Sequence, residues 1–100
     1  MIRTYDRKGA PISVDEWNAK LELEEERRVA ETTLLDGKWV STVWLGLDHR
    51  HGDGPPLIFE TMVFGEWGDL DCERYSTEGQ AVAGHTAMVE KWSRGGEAAP

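Results

Sequence analysis

The chain predicts an α+β fold. A four-strand antiparallel meander is preceded by a short N-terminal strand and one helix and followed by a second helix, in the order β-α-β-β-β-β-α. Three observations carry this expectation. Two β-rich runs, 29–35 and 38–47, flank the turn pair Asp36-Gly37. Two capping boxes, Ser13-x-x-Glu16 and Thr77-x-x-Gln80, each open a stretch with helical apolar spacing. A further apolar run at 57–64 is followed by a shorter, more polar one at 71–75. The 100 residues suit one domain, 1–92, with a small, polar tail at 93–100 that predicts disorder.

Residues 2–5 are read as the first strand, ended by Asp6-Arg7-Lys8-Gly9. Ser13 caps the first helix, whose apolar stripe is Val14, Trp17 and Leu21; past Leu23 the stripe dissolves into charge, and the helix is expected to end near Arg27. Asp36-Gly37 reads as a type I′ turn. That turn sets Leu35 opposite Lys38, Thr33 opposite Val40 and Val29 opposite Trp44. The polar loop 48–56 leads to the strand 57–64, and the polarity of 71–75 suits an edge strand. Thr77 caps the second helix. Ala81, Val82, His85, Met88, Val89 and Trp92 form its apolar face, and Gly84 allows close approach to the sheet.

Alternation places Trp39, Val43, Leu45 and Leu47 on one side of their strand and Val40 and Trp44 on the other. Leu57, Phe59 and Val63 oppose Ile58, Met62 and Phe64 in the same way. Both faces therefore carry large apolar residues, where a one-sided sheet shows clean alternation. The expected solution sets both helices on one face. Val40, Trp44, Ile58, Met62 and Phe64 then form an interface for a second copy or another protein. A monomer with helices on opposite faces is the competing arrangement.

Five Trp, two Tyr and two Phe are dense enough for the core of so small a domain. No apolar run approaches the ~18–20 residues of a membrane span, and the opening residues lack a secretory apolar stretch. Cys72 is the only cysteine, which excludes an internal disulfide and a multi-thiolate zinc site. A net charge of −8 opposes non-specific nucleic-acid binding. These features predict a cytoplasmic protein with no membrane or nucleic-acid partner and no cofactor.

The candidate binding residues are Asp48, His49, His51, Glu60 and His85. Asp48, His49, His51 and Asp53 offer nitrogen and oxygen ligands in one loop, although the spacing matches no metal motif. His85 lies on an apolar helix face. It reads as a core residue bonded to a backbone carbonyl, or as a general base oriented by Glu60 or Asp48. The acidic neighbours of Cys72 disfavour its thiolate. The charge run 22–28 reads as a solvated helix face, with Glu24 and Arg28 spaced for an i,i+4 pair; its sharper reading is a mimic of phosphate charge.

Val40-Ser41-Thr42-Val43-Trp44-Leu45-Gly46-Leu47-Asp48-His49, Gly54-Pro55-Pro56-Leu57-Ile58-Phe59-Glu60-Thr61-Met62-Val63-Phe64 and Arg74-Tyr75-Ser76-Thr77-Glu78, leading to Gly84-His85, together resemble a family of small proteins of unassigned function. Members of that family are encoded by bacteriophages and prophages, mainly of actinobacteria. Tyr5-Asp6-Arg7-Lys8-Gly9 and Pro11-Ile12 extend the resemblance over nearly the whole chain. The loop Arg50-His51-Gly52-Asp53 departs from relatives richer in Gly and aromatic residues. The resemblance implies an accessory phage protein made in the host cell and brings no catalytic residues. The expected function is non-enzymatic binding of a host or phage protein, as an inhibitor of a host process, by a homodimer. The alternative is a small metal-dependent hydrolase or ligand-binding protein, with a pocket around the 48–56 loop and His85.

Overall fold

The structure, a computed structural model, describes residues 3–50 and 52–94. Its fold is α+β. Strands β1 (Thr4–Tyr5) and β2 (Pro11–Ile12) form a two-strand sheet, followed by helices α1 (Val14–Leu21) and α2 (Glu24–Arg27). Strands β3 (Arg28–Thr33), β4 (Trp39–Trp44), β5 (Phe59–Gly65) and β6 (Gly68–Tyr75) form an antiparallel meander in the order β3-β4-β5-β6, and α3 (Glu78–Ser93) closes the chain. Among the described residues no helix is long and apolar enough to cross a membrane. The expected disordered tail falls outside the described residues from 95 onward, and the helix runs one residue further than expected, to Ser93.

Both predicted N-caps are present. Ser13 Oγ accepts the Glu16 N–H at 3.1 Å, and Thr77 with Gln80 completes a reciprocal capping box. The single first helix of the sequence reading is in fact two. The chain turns extended at Leu23, and α2 runs straight into β3. Arg7 holds this junction. Its Nη1 donates to the carbonyls of Glu25, Glu26 and Arg28, which the short helix leaves free, while Nε and Nη2 grip the Glu78 carboxylate at 3.1 and 2.7 Å.

The β3–β4 hairpin corrects the predicted register. Among the described residues positive φ occurs only at glycines, so Asp36 does not adopt the conformation a type I′ turn requires. Instead Leu34 pairs with Lys38 around a three-residue loop: the Gly37 N–H bonds the Leu34 carbonyl at 2.9 Å, and Gly37 has φ +94°. Thr32, not Thr33, therefore lies opposite Val40, and Leu34 is buried while Leu35 is fully exposed. A bulge between Arg28 and Ala30 absorbs the irregularity at the other end.

One face of the sheet is closed by α3. Val40, Thr42 and Trp44 of β4 lie opposite Val63, Thr61 and Phe59 of β5, and all six are buried. Trp44, Ile58, Phe59, Tyr75 and Ala81 form one apolar cluster; Leu34, Val40, Val63 and Met88 form a second. Between them runs a polar layer. Thr42 Oγ1 meets Thr61 Oγ1 at 2.5 Å and His85 Nδ1 at 2.7 Å, and His85 Nε2 meets Thr32 Oγ1 at 2.9 Å. Gly84 serves the predicted close approach, since a Cβ there would lie 2.2 Å from the Tyr75 ring. Val82, expected on the apolar face of the helix, is half exposed.

The other helices do not join α3. Trp17 of α1 packs on the Trp44 end of the sheet, where its indole N–H donates to the Leu45 carbonyl at 2.9 Å. It fills the space beside Gly46 that a side chain would need, and β4 ends two residues earlier, at Trp44. The α1–α2 unit stands over one part of the opposite face and leaves the rest uncovered, so the expectation of both helices on one face is overturned.

Candidate binding face

The predicted interface is divided by the structure. Val40, Trp44 and Ile58 are core residues, each at most 1% exposed, whereas Met62 and Phe64 lie on the open face with Trp39. The expected alternation holds within β4 and from Phe59 to Phe64, but not at Ile58, which precedes β5 and joins the Phe59 cluster. The phase between strands differs from the expected one, because Trp44 pairs with Phe59 and not with a residue of the Met62 row. On the open face Trp39 and Phe64 stack with centroids 5.2 Å apart, and Ser41 and Met62 sit beside them in register.

The predicted binding residues do not converge. Asp48 Oδ1 accepts the N–H groups of Arg50 at 2.8 Å and Leu57 at 3.0 Å, which shapes the loop and occupies that oxygen. His49 lines a groove described below. His51 lies outside the described residues. Glu60 is on the open face, where it accepts from Arg74 Nε at 3.0 Å and Cys72 Sγ at 3.4 Å. Burial, followed by the nearby Glu60 charge, pushes the Cys72 thiol up, as its acidic neighbours suggest.

His85 lies on the other side of the sheet, beneath α3. Both its nitrogens meet threonine hydroxyls rather than the expected backbone carbonyl, and burial lowers its pKa. Glu60 cannot orient it through the sheet, so the pocket joining the loop, Glu60 and His85 does not form. Among the described residues no three His, Cys, Asp or Glu side chains are grouped to hold a metal.

Two features of the open side were not singled out in the sequence. The first is the hairpin end. The β5–β6 turn presents Trp67 at 92% exposure, and the fully exposed Leu35 and half-exposed Leu70 are the other large apolar residues at this end. Asp36, Glu66 and Trp67 border a shallow depression there. Recognising the three-residue loop would have found Leu35. The second is a groove of 480 Å³ between α1–α2 and the β4 part of the face. Its walls are Trp17, Leu21, Leu45 and Leu47, its floor Trp39, Ser41 and Val43, and its lip Glu24, Arg27, Arg28 and Glu31. Comparison of the chain with family models, curated proteins and solved structures finds no match.

Proposed function

We propose that this chain is a non-enzymatic protein-binding module, an accessory protein of the bacteriophage-encoded kind its sequence resembles. It engages a host or phage protein through the hairpin end of its open face. The observation that carries this reading is Trp67. It occupies the apex of a tight turn at 92% exposure, where the fold itself needs no aromatic residue. A Trp or Leu left in water forgoes about 1.5–3 kcal/mol of burial, and Leu35 repeats that exposure in the β3–β4 loop. Trp at the centre of an interface often contributes a large share of the binding energy. The scattering of Asp48, Glu60 and His85 over separate surroundings supports binding over the hydrolase alternative.

The test is affinity capture from infected host cells, with wild type beside a Trp67→Ser, Leu35→Ser chain that retains its far-UV circular dichroism. A specific partner is expected with wild type and not with the variant; an unchanged partner set would sink the reading. Sedimentation velocity distinguishes the remaining occupant. A dimer abolished by the same double substitution would assign the hairpin end to a second copy of the chain.

A further inference from the structure

We propose that the partner engaged by the hairpin end is a basic and apolar protein segment. It sets an arginine or lysine against Trp67 and the carboxylates beside it, and its apolar residues meet Leu35 and Leu70. The inference rests on the protein-binding reading and names the chemistry of that partner. Gly65 and Gly68 pair across the β5–β6 turn, so Glu66 and Trp67 form its apex, with both side chains in solvent. Asp69 pairs with Phe64 and therefore lies exposed on the open face. The β3–β4 loop stands across from this turn, and Asp36, Glu66, Trp67 and Leu70 border the depression between them.

Charge at this end decides the partner class. Trp67 is bracketed by two carboxylates, and neither Glu66 nor Asp69 has an ion pair among the described residues. Asp36 is neutralised by Lys38, while Arg74 and Lys91 are committed to Glu60 and Asp71. The balance of the two loops and the start of β6 is therefore two negative charges around an exposed indole. A cation satisfies both groups at once: it is drawn to the ring face and pairs with the carboxylates. A purely apolar surface would cover the turn and leave the carboxylates partly desolvated and unpaired. Nucleic acid meets like charge here, and so does a second copy of this chain set end to end against its twin.

Random dodecapeptides displayed on yeast and sorted against the full chain supply a probe that favours no composition in advance. Clones bound by wild type and not by Trp67→Ser are expected to combine Arg or Lys with apolar residues. Synthetic copies of these peptides should bind a Glu66→Gln, Asp69→Asn chain about five- to tenfold more weakly than wild type by fluorescence anisotropy. Raising salt to about 0.5 M should weaken the wild-type complex and the doubly neutralised one much less, with far-UV circular dichroism checking that the variants stay folded. Trp67-dependent peptides that lack basic residues overturn the inference, as do basic ones that bind the neutralised chain like wild type; either result leaves the hairpin end a docking site. Absence of any Trp67-dependent clone overturns the inference and the hairpin-end reading together.

Discussion

Phe59 and Phe64 stand on the same strand, five residues apart, and differ in which side of the sheet they enter. Phe59 is fully buried beneath α3 among Trp44, Tyr75 and Ala81, while Phe64 keeps part of its ring in water and leans on Trp39. The two faces are built differently throughout. The closed face is continuous from Leu34 to Tyr75, interrupted only by a threonine–histidine layer whose members bond one another. The open face alternates apolar residues with the Glu60–Arg74 ion pair and depends on no helix for most of its length. Stability should therefore be concentrated under α3, which leaves the open face free to change with function.

The sharpest test of that contrast is the pair of phenylalanines. Phe59→Ala should cost about 3–5 kcal/mol in urea unfolding. Phe64→Ala should cost no more than about 1.5 kcal/mol, most of it the lost Trp39 stack. Equal costs would break the comparison, because they would mean that the open face is covered in solution.

Next in size is Gly84→Leu. The new side chain meets the Tyr75 ring, and overpacking of about 1–3 kcal/mol should outweigh the gain of roughly 1 kcal/mol in helix propensity. Ala83→Leu, on the exposed side of α3, should leave the melting temperature nearly unchanged.

The polar layer adds a pH dependence peculiar to the closed face. Burial holds His85 below its ordinary value of 6.5, and no charged neighbour contributes. The unfolded chain therefore takes up the proton first. The stability associated with neutral His85 is fully present above about pH 6.5 and is lost as pH falls through the folded value. Unfolding free energies at pH 7 and pH 5 should differ in wild type and differ less in His85→Gln. Equal slopes in the two proteins would show that protonation of His85 is not what the closed face resists.

The smallest effect is expected at Asp71, on the rim of the closed face. Lys91 above all, with Trp92, holds this carboxyl below its ordinary 3.8. The contact persists above that value and is lost as pH falls through the folded one. Asp71→Asn should cost up to about 1 kcal/mol and speed amide exchange in the last turn of α3 at neutral pH. Protection unchanged by the substitution would remove Asp71 from the docking of that helix.

Much of the architecture was legible in the chain because its signals are local. Ser13 with Glu16 and Thr77 with Gln80 mark helix starts through bonds that span three residues, and the polarity of 71–75 marks an edge wherever the strand finally sits. The candidate site was far less legible. Asp48 looked like a ligand because nothing in its neighbourhood shows that its oxygen will be taken by the N–H of Leu57, nine residues away. Arg7 looked like part of a turn, yet it reaches Glu78, 71 residues on. Arg27 sits in a charge run and Ser41 on a strand, and only the packed structure brings both to one groove.

The sequence by itself determined the four-strand meander, the caps of α1 and α3, and the alternation within β4 and from Phe59 to Phe64 of β5; it did not give the strand β2 at Pro11–Ile12 or the break between α1 and α2. Only the tertiary structure decided which alternating sets share a face. A strand repeats every two residues, so one residue of slip exchanges its sides. The three-residue loop at 35–37 made that shift in the β3–β4 register, and the connection from β4 to β5 is too long to set their register locally. The choice fell to the fit of Trp44 against Phe59 and of Thr42 against Thr61 and His85, contacts that exist only once β4, β5 and α3 have come together.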